Sequence, residues 1–381
     1  MAQTAPVRVG FVGAGWMGSE QLRRLAARAD VQVVALCERD LARGRAVLDG
    51  LGLTTTRVTD DYQHLLADPD INTLWLVSPN AFHGPQSIAA LEAGKHVFCE
   101  KPASTTFADH LRQLELTRAQ PHLRTFVDYI LYFDSFEERL REMVAADAFG
   151  KITQIQVNYR HAVNIAGDKA WKLKREIMGD AIGMGINHAV SVMLFAMAAQ
   201  AKPVQVYATS MPAQVRPFEA DPIWNLHITF DSGACGLVLG DIDSGNGYDA
   251  YHSVKGTHGG LLFDSQLDRP AKVRYWKRGL ANDKWLYPLD QARCGADGVE
   301  PWPADTTTPD SGNVIEHQTA SAVGHFIESI KTGRPSPLSM DHSAQVAEIG
   351  WAAQVSALTH QPVALPLDIA HARAVLASDQ L

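Results

Sequence analysis

A chain of 381 residues with 34 Lys and Arg against 42 Asp and Glu carries a net charge of −8, and no basic block interrupts it. Nucleic acid and anionic membrane are therefore excluded as expected partners. Hydrophobic residues at 46% and charged residues at 20% suit a soluble globular protein, and the length suits two domains better than one. The apolar run Ala189 to Ala199 is too short to span a bilayer. Cys37, Cys99, Cys235 and Cys294 are far apart with no C-x-x-C spacing. They read as reduced packing residues, not as a metal site or disulfide framework, and no metal is expected. With the first strand expected at Val7, no room precedes it for a secretory leader, so the expected location is the cytoplasm.

The chain opens on a short apolar run, Val7 to Val12, that ends in Gly13-Ala14-Gly15-Trp16-Met17-Gly18 and leads at once into a helical pattern from Glu20 to Ala26. This strand–G-x-G-x-x-G–helix order is what a dinucleotide needs. One glycine makes the turn, one lets the backbone approach a pyrophosphate, and one lets the helix pack on the sheet with its N–H groups facing the phosphates. A second run, Val31 to Leu36, leads to Glu38, about 20 residues past the last glycine, where a carboxylate holds ribose hydroxyls. Glu38 repels a 2′-phosphate and so favours NAD. Arg39 next door can pair with that phosphate, which keeps NADP possible.

A helix is expected over Asp40 to Leu48, a short strand around Val58, a short helix over Asp60 to Leu66, and a buried parallel strand over Ile71 to Val77. Ser78-Pro79-Asn80-Ala81-Phe82-His83 then leads to a helix from Gln86 to Ala93. The strand His96 to Cys99 runs into Glu100-Lys101-Pro102, a helix spans Thr106 to Thr117, and Arg124 to Val127 is the last strand. Alternating strands and helices predict a doubly wound parallel Rossmann sheet over residues 1–127, whose ligands lie at the carboxyl ends of the strands. The glycine loop with Trp16 and Met17, Glu38, Ser78, Asn80, His83, Glu100 and Lys101 all fall at such ends. Lys101 can hydrogen-bond a substrate hydroxyl, and desolvation can bring its pKa within reach of proton transfer. Asn80 reads as a cofactor contact or as turn chemistry, and His83 as a helix cap or a lining of the nicotinamide pocket.

These pieces, together with Ala90-Leu91-x-Ala93-Gly94-Lys95-His96-Val97-x-x-Glu100-Lys101-Pro102, resemble the glucose–fructose oxidoreductase / inositol dehydrogenase (Gfo/Idh/MocA) family. The resemblance implies NAD(P) in the first domain, a sugar, polyol or related hydroxy compound over an open sheet in the second, and Lys101 pointing at that substrate beside the nicotinamide.

Residues 128–381 read as an α+β domain with an open, mostly antiparallel sheet. A helix is expected over Phe133 to Ala146 and a strand over Ile152 to Tyr159, with Arg160 at its end. A polar loop over Ala166 to Glu176 carries Lys172, and a helix capped by Asp180 carries Asn187 and His188 on to Ala199. Strands are expected at Val204 to Ser210, Trp224 to Phe230, Gly236 to Asp241 and Leu261 to Phe263, the last after a turn at Gly256 to Gly260. Asn282 to Asn313 reads as a long loop that closes the site or reaches a neighbouring subunit. Helices follow at Glu316 to Lys331 and His342 to Thr359. The sheet's exposed face suggests a homodimer or homotetramer, an assembly the resemblance also implies.

The family's second-domain helix reads G-G-G-x-x-x-D-x-G-x-H, and the resemblance makes His188 the general acid or base, a role suited to imidazole near neutrality. Its carboxylate, one helical turn earlier, is Met184 here, and a thioether cannot replace it. Asp168, Asp180, Asp241 and Asp243 are the candidates to supply one, and Arg160, Lys172, Asp180 and Asn187 are candidate substrate contacts. The expected activity is NAD-dependent oxidation of a CH–OH group with proton transfer by Lys101 and His188. The alternatives are a redox-neutral enzyme that retains its cofactor, oxidising a sugar carbon transiently before elimination or rearrangement, and a non-catalytic sensor of dinucleotide or ligand.

Overall fold

The computed structural model describes residues 6–243, 248–249, 251–266, 269–280, 284–297, 299–303, 306 and 318–378. Two compact units emerge. One comprises Met1–Ile130, Glu176–Gly179 and Gly312–Gln345, and the other Leu131–Arg175, Asp180–Ser311 and Val346–Leu381. Where the sequence places a single boundary after residue 127, the units thus interleave along the chain.

In the first unit β1 (Val7–Val12), α1 (Trp16–Ala26), β2 (Val31–Cys37), α2 (Leu41–Gly50), β3 (Arg57–Thr59), α3 (Gln63–Ala67), β4 (Thr73–Leu76), α4 (Asn80–Glu92), β5 (His96–Cys99), α5 (Phe107–Ala119) and β6 (Thr125–Val127) alternate. The six strands are parallel in the order β3-β2-β1-β4-β5-β6, the doubly wound Rossmann arrangement. Trp75, Phe98 and Phe126 stand at matching register positions on β4, β5 and β6. Their rings stack at 3.9 Å and 4.9 Å, and Phe326 from the helix Thr319–Thr332 meets Trp75 edge-on at 5.6 Å. All four rings are buried. This aromatic ladder makes the ends of these three strands a rigid platform, because such offset and edge contacts add to the burial itself.

Two starts are set by caps: the Asp40 carboxylate accepts from Arg43 N at 3.0 Å and the Thr106 hydroxyl from Asp109 N at 3.2 Å. One start differs from expectation. Pro85 suggests that α4 begins after it, yet the helix begins at Asn80 behind an extended Pro79. Asn80 and His83 therefore lie in the first turn of a helix and not in a loop. Ser87 Oγ donates to the carbonyls of His83 and Gly84 in this same stretch.

The second unit places α6 (Ser135–Ala145) and α7 (Asn187–Met197) with one mixed sheet. Its strands β7 (Ile152–His161), β8 (Pro203–Met211), β9 (Ile223–Phe230), β10 (Cys235–Asp241), β11 (Tyr248–Asp249), β12 (His252–Gly256), β13 (Gly259–Gln266), β14 (Arg269–Lys277) and β15 (Val363–Ala364) run in the order β14-β13-β12-β7-β10-β9-β8-β15, with β11 on β7. All pairs are antiparallel except β7 with β10. That exception brings the carboxyl ends of two central strands side by side, with Asp241 opposite Arg160.

The strands β12 and β14 are not foreseen in the sequence. The predicted loop over 282–313 also contains structure: Leu286 bridges to Tyr275, a helix spans Gln291–Asp297, and buried Trp302 stacks on Tyr275 at 6.1 Å. Within it, residues 282–283, 298, 304–305 and 307–313 lie outside the described ones, as do 316 and 317 of the helix expected next. Among the described residues no helix is long and apolar enough to cross a membrane, and no group of three or more His, Cys, Asp or Glu is placed to hold a metal. Cys37, Cys99 and Cys294 are buried and Cys235 is half-buried, all as free thiols.

Candidate active site

In the first unit the three loop glycines have three different physical reasons. Gly13 has φ +92°, and a Cβ there would stand 2.5 Å from the Val77 carbonyl oxygen at the end of the neighbouring strand. A Cβ on Gly18 would collide with the Gly13 carbonyl oxygen. Both glycines are demanded by the protein's own packing. Gly15 is not, since nothing lies within 4 Å of where its Cβ would be. That open space sits at the N-cap of α1, whose first turn has no acidic residue and no side-chain cap. The amides of a helix start, beside a backbone bare of side chain, fit a pyrophosphate. Trp16 opens the helix and remains 45% exposed, which leaves an indole face next to that cradle.

Glu38 is 5% exposed. Its Oε2 accepts from Ala14 N at 2.8 Å and its Oε1 from Asp40 N at 3.0 Å and Arg43 Nη2 at 2.6 Å. Burial works to raise its pKa, but these two amides and the guanidinium outweigh it, and the carboxyl sits below its ordinary 4.5. Three of about four acceptor positions are occupied, which leaves one for a ribose hydroxyl. The guanidinium paired to Glu38 comes from Arg43, one turn into α2; Arg39 itself is exposed.

The next strand end is already spent on the protein itself. Ser78 Oγ donates to Gln86 Oε1 at 2.6 Å. Asn80, 3% exposed, donates from Nδ2 to the Met178 carbonyl at 2.9 Å. His83, 1% exposed, lies with its ring nitrogens 2.7 Å from the Ser78 and Pro102 carbonyl oxygens. Burial lowers its pKa while the two carbonyls work to raise it, and the ring lies between the end of β4 and the segment behind Lys101. Ser78 and His83 thus make contacts within the protein at the strand end where the sequence expects a cofactor.

Lys101 follows Glu100 at the end of β5 and is half-buried. Burial pulls its ammonium below the usual 10.5 while Glu100 and Asp128 push back. Two neighbours here escape sequence reading: Gln21 on α1 and Asp128 just past β6. Gln21 Nε2 donates to Glu100 Oε1 at 2.7 Å and Asp128 Oδ2 at 3.2 Å, and its Oε1 accepts from Trp75 Nε1 at 2.6 Å. The signal for Asp128 is its position one register step beyond Val127, which pairs with Cys99 just before Glu100.

In the second unit the predicted helix from Asp180 begins as a π-helical turn, Ile182–Ile186, before α7. Such widened turns cluster at functional sites. Asp180 Oδ1 accepts from Gly183 N at 2.7 Å, so Asp180 starts this turn, and burial raises its pKa. A Cβ on Gly185 would stand 2.7 Å from the Tyr159 ring, and Ile186 packs into the space left by Gly240 on β10. The turn therefore rests on the carboxyl ends of the parallel pair β7 and β10.

His188 follows, 6% exposed, its ring 5.6 Å from that of Tyr159 at 29°. Tyr159, in turn, has its hydroxyl 3.1 Å from His161 Nε2. Asn187 donates from Nδ2 to the Gly183 carbonyl at 2.7 Å, which holds the turn together. Met184 is buried. Asp243 accepts from the amides of Gln214, Val215 and Arg216 and so anchors a loop, while Asp241 accepts from Asp243 N. Asp180 and Asp243 thus have structural tasks. Arg160 is half-buried at the end of β7, and Lys172 is half-buried with Nζ 5.9 Å from the Trp171 ring centre. Tyr159 is the neighbour of His188 that sequence reading missed.

Two outcomes separate the glycines. Gly18→Ala is expected to cost about 1–3 kcal/mol of stability as an overpacked site. Gly15→Ala is expected to leave the Tm of the free protein unchanged and to weaken NAD binding by at least ~10-fold, the equivalent of about 1.4 kcal/mol. Calorimetric melting and NAD titration read both, and equal Tm losses would contradict the division. A pH series tests Glu38. Its folded pKa is depressed, so its stabilisation is present above the ordinary carboxyl range near 4.3 and is lost as pH falls through the lower folded value. The Tm gap between wild type and Glu38→Gln should shrink from about pH 6 to about pH 3; a constant gap would remove the charge from the account.

Comparison with known proteins agrees with this geometry. Residues 7–129 match the model of the oxidoreductase family with an NAD-binding Rossmann fold, and residues 138–262 match the GFO/IDH/MocA C-terminal domain. The inositol 2-dehydrogenase of Salmonella typhimurium is 28% identical over 254 residues, 66% of this chain and 72% of that protein. That of Acidothermus cellulolyticus is 25% identical over 339 residues, 84% of this chain and 96% of that protein. The solved levoglucosan dehydrogenase in complex with NADH and levoglucosan shares the fold with a TM-score of 0.79 at 20% identity, over 95% of this chain and 100% of that one. The chain belongs to the Gfo/Idh/MocA family of oxidoreductases, and its first domain is an NAD-binding Rossmann domain.

Proposed function

We propose that this enzyme oxidises a CH–OH group of a sugar, polyol or cyclitol with NAD, in the cytoplasm. The observation that carries the reading is Lys101, an ammonium drawn down by burial at the same row of strand ends as the open cradle at Gly15. Relatives named as inositol 2-dehydrogenases support the substrate class.

Bound NAD supplies the hydride acceptor. The amides at the start of α1 hold its pyrophosphate, Gly15 leaves room for it, Trp16 and Met17 flank it, and the last acceptor position of Glu38 takes a ribose hydroxyl. NAD is favoured over NADP because Glu38 is ionised and buried, and a 2′-phosphate would have to approach that charge. Arg39, exposed beside it, is the residue on which an NADP activity would rest. Lys101 donates a hydrogen bond to the substrate oxygen and holds or relays its proton. His188 accepts the hydroxyl proton as the hydride leaves carbon, so the alcohol becomes a carbonyl. Arg160, Lys172 and Asn187 are the proposed substrate contacts, and Asp180 sets the turn that presents Asn187 and His188.

The place of Met184 favours a second reading, in which the carbon is oxidised only transiently and the hydride returns after elimination or rearrangement. Assembly as a homodimer or homotetramer is proposed through the second unit's sheet, whose alternate positions Tyr207, Met211 and Leu237 stay 39%, 50% and 36% exposed. Such a row of apolar side chains suits a covered face.

A screen of sugars, polyols and cyclitols for NADH formation, with NADP in parallel, tests the reading. Net NADH supports the dehydrogenase, while substrate loss without NADH supports the redox-neutral enzyme. With a substrate in hand, Lys101→Met and His188→Ala should each lower kcat by at least ~10²-fold, the lower end for acid–base groups, with NAD affinity nearly intact. Unchanged turnover in either variant would remove that residue from the mechanism.

A further inference from the structure

Behind Lys101 lie two carboxyl groups at adjacent strand ends. Glu100 follows β5, and Asp128, 2% exposed, follows β6 with its N–H on the Cys99 carbonyl at 3.0 Å. One amide nitrogen, Nε2 of Gln21, serves both, at 2.7 Å and 3.2 Å. The orientation of that amide is fixed. The Trp75 indole can only donate, so the oxygen of Gln21 must face it and the NH2 must face the carboxyls. Carboxyl oxygens that share one donor nitrogen in a buried setting stand close together. Two bare carboxylates so placed repel each other, and one proton between them removes that cost. Buried Asp128 Oδ1 has no donor among the described residues, and an oxygen that carries the proton needs none.

We propose that Glu100 and Asp128 share one proton, and that Asp128 is a positioning residue through which a second negative charge arises beside Lys101 only when that proton leaves. This rests on the dehydrogenase reading only for its catalytic consequence.

The surroundings are consistent. Burial and then Glu100 push Asp128 well above the usual carboxyl range, and burial raises Glu100 against the pull of Lys101. The other titratable group facing the pair is the Cys99 thiol, raised by burial and by both carboxyls and so neutral; Gln21 and Trp75 do not titrate. The pair offers Lys101 one counter-charge while its proton is held and two once it is lost. Rising pH therefore strengthens the hold on the ammonium, which widens the range over which Lys101 stays protonated.

Infrared difference spectroscopy at neutral pH, wild type against Asp128→Asn, tests the shared proton without any need for turnover. The expected result is loss of a protonated-carboxyl carbonyl stretch. Absence of that band from the difference overturns the proposal. If the amide is not accepted, Asp128→Ser supplies the same comparison.

With an oxidised substrate identified, the limb of the kcat/KM–pH profile governed by Lys101 should move to lower pH in Asp128→Asn, by about one unit, the low end for a neighbouring charge. A merely structural Asp128 would lower Tm and leave that limb in place, which would end its positioning role. A wild type without any turnover would sink the dehydrogenase reading alone, because the infrared result stands apart from it.

Discussion

The helix α1 is seated against the turn that precedes it so closely that position 18 has no room for a side chain. Much of the first unit follows from that seat. It brings the amides of the helix start level with the loop, and it carries Gln21 deep enough to be fully buried and to meet Trp75, Glu100 and Asp128. Were the helix an ångström or two further out, the glutamine would fall short of hydrogen-bond range. The indole of Trp75 would then lose its acceptor within an aromatic stack, and two carboxyls would lose the donor that spans them. A rule about glycine in a short loop is in this sense a rule about the electrostatics of a lysine elsewhere on the sheet.

The strand ends divide into groups that are satisfied and groups that are left open, and the division carries more information than proximity does. Ser78, Asn80 and His83 find their partners within the protein. Gly15 leaves open space, and Glu38 keeps one acceptor position. The second unit shows the same economy. Asp180 and Asn187 hold the widened turn together, Asp243 anchors a loop, and His188 is set on an aromatic neighbour. Buried polar groups of this kind are seldom idle, and those that brace the backbone preserve geometry for the few that do not.

Much of this is legible in the chain itself. The order of strands and helices, the glycine loop, Glu38 and Glu100-Lys101-Pro102 follow from local rules of turn, cap and period, because parallel strands bury both faces and must be followed by helices. Less legible are features set by contacts distant in sequence. Gln21 looks like any helix-surface glutamine until the 54 residues to Trp75 and the 79 to Glu100 are folded away. Asp128 reads as the residue after a strand, and its importance depends on which strand is its neighbour. Arg43 rather than Arg39 pairs with Glu38 because one helical turn, not adjacency, brings a side chain back over the strand end. The start of α4 at Asn80 defeats the proline rule, and the π-helical turn before His188 leaves no mark in apolar periodicity. The strand β12 runs into glycines that suggest a turn.

The three contacts made by Glu38 constrain how this lineage can change its cofactor. In an enzyme where the ribose-binding carboxylate stands alone, exchanging it for a small or basic residue is a one-step route to a phosphorylated dinucleotide. Here the carboxylate proposed for that role braces Ala14 in the loop and caps the approach to α2 through Asp40 and Arg43. Its replacement would loosen the cradle for either cofactor before any new charge could be recognised. The accessible path begins instead at exposed Arg39, with substitutions at 38 tolerated only after others have taken over the bracing. The order of the steps is built into the fold, and an ancestral or engineered series that ignores it should pass through a non-binding intermediate.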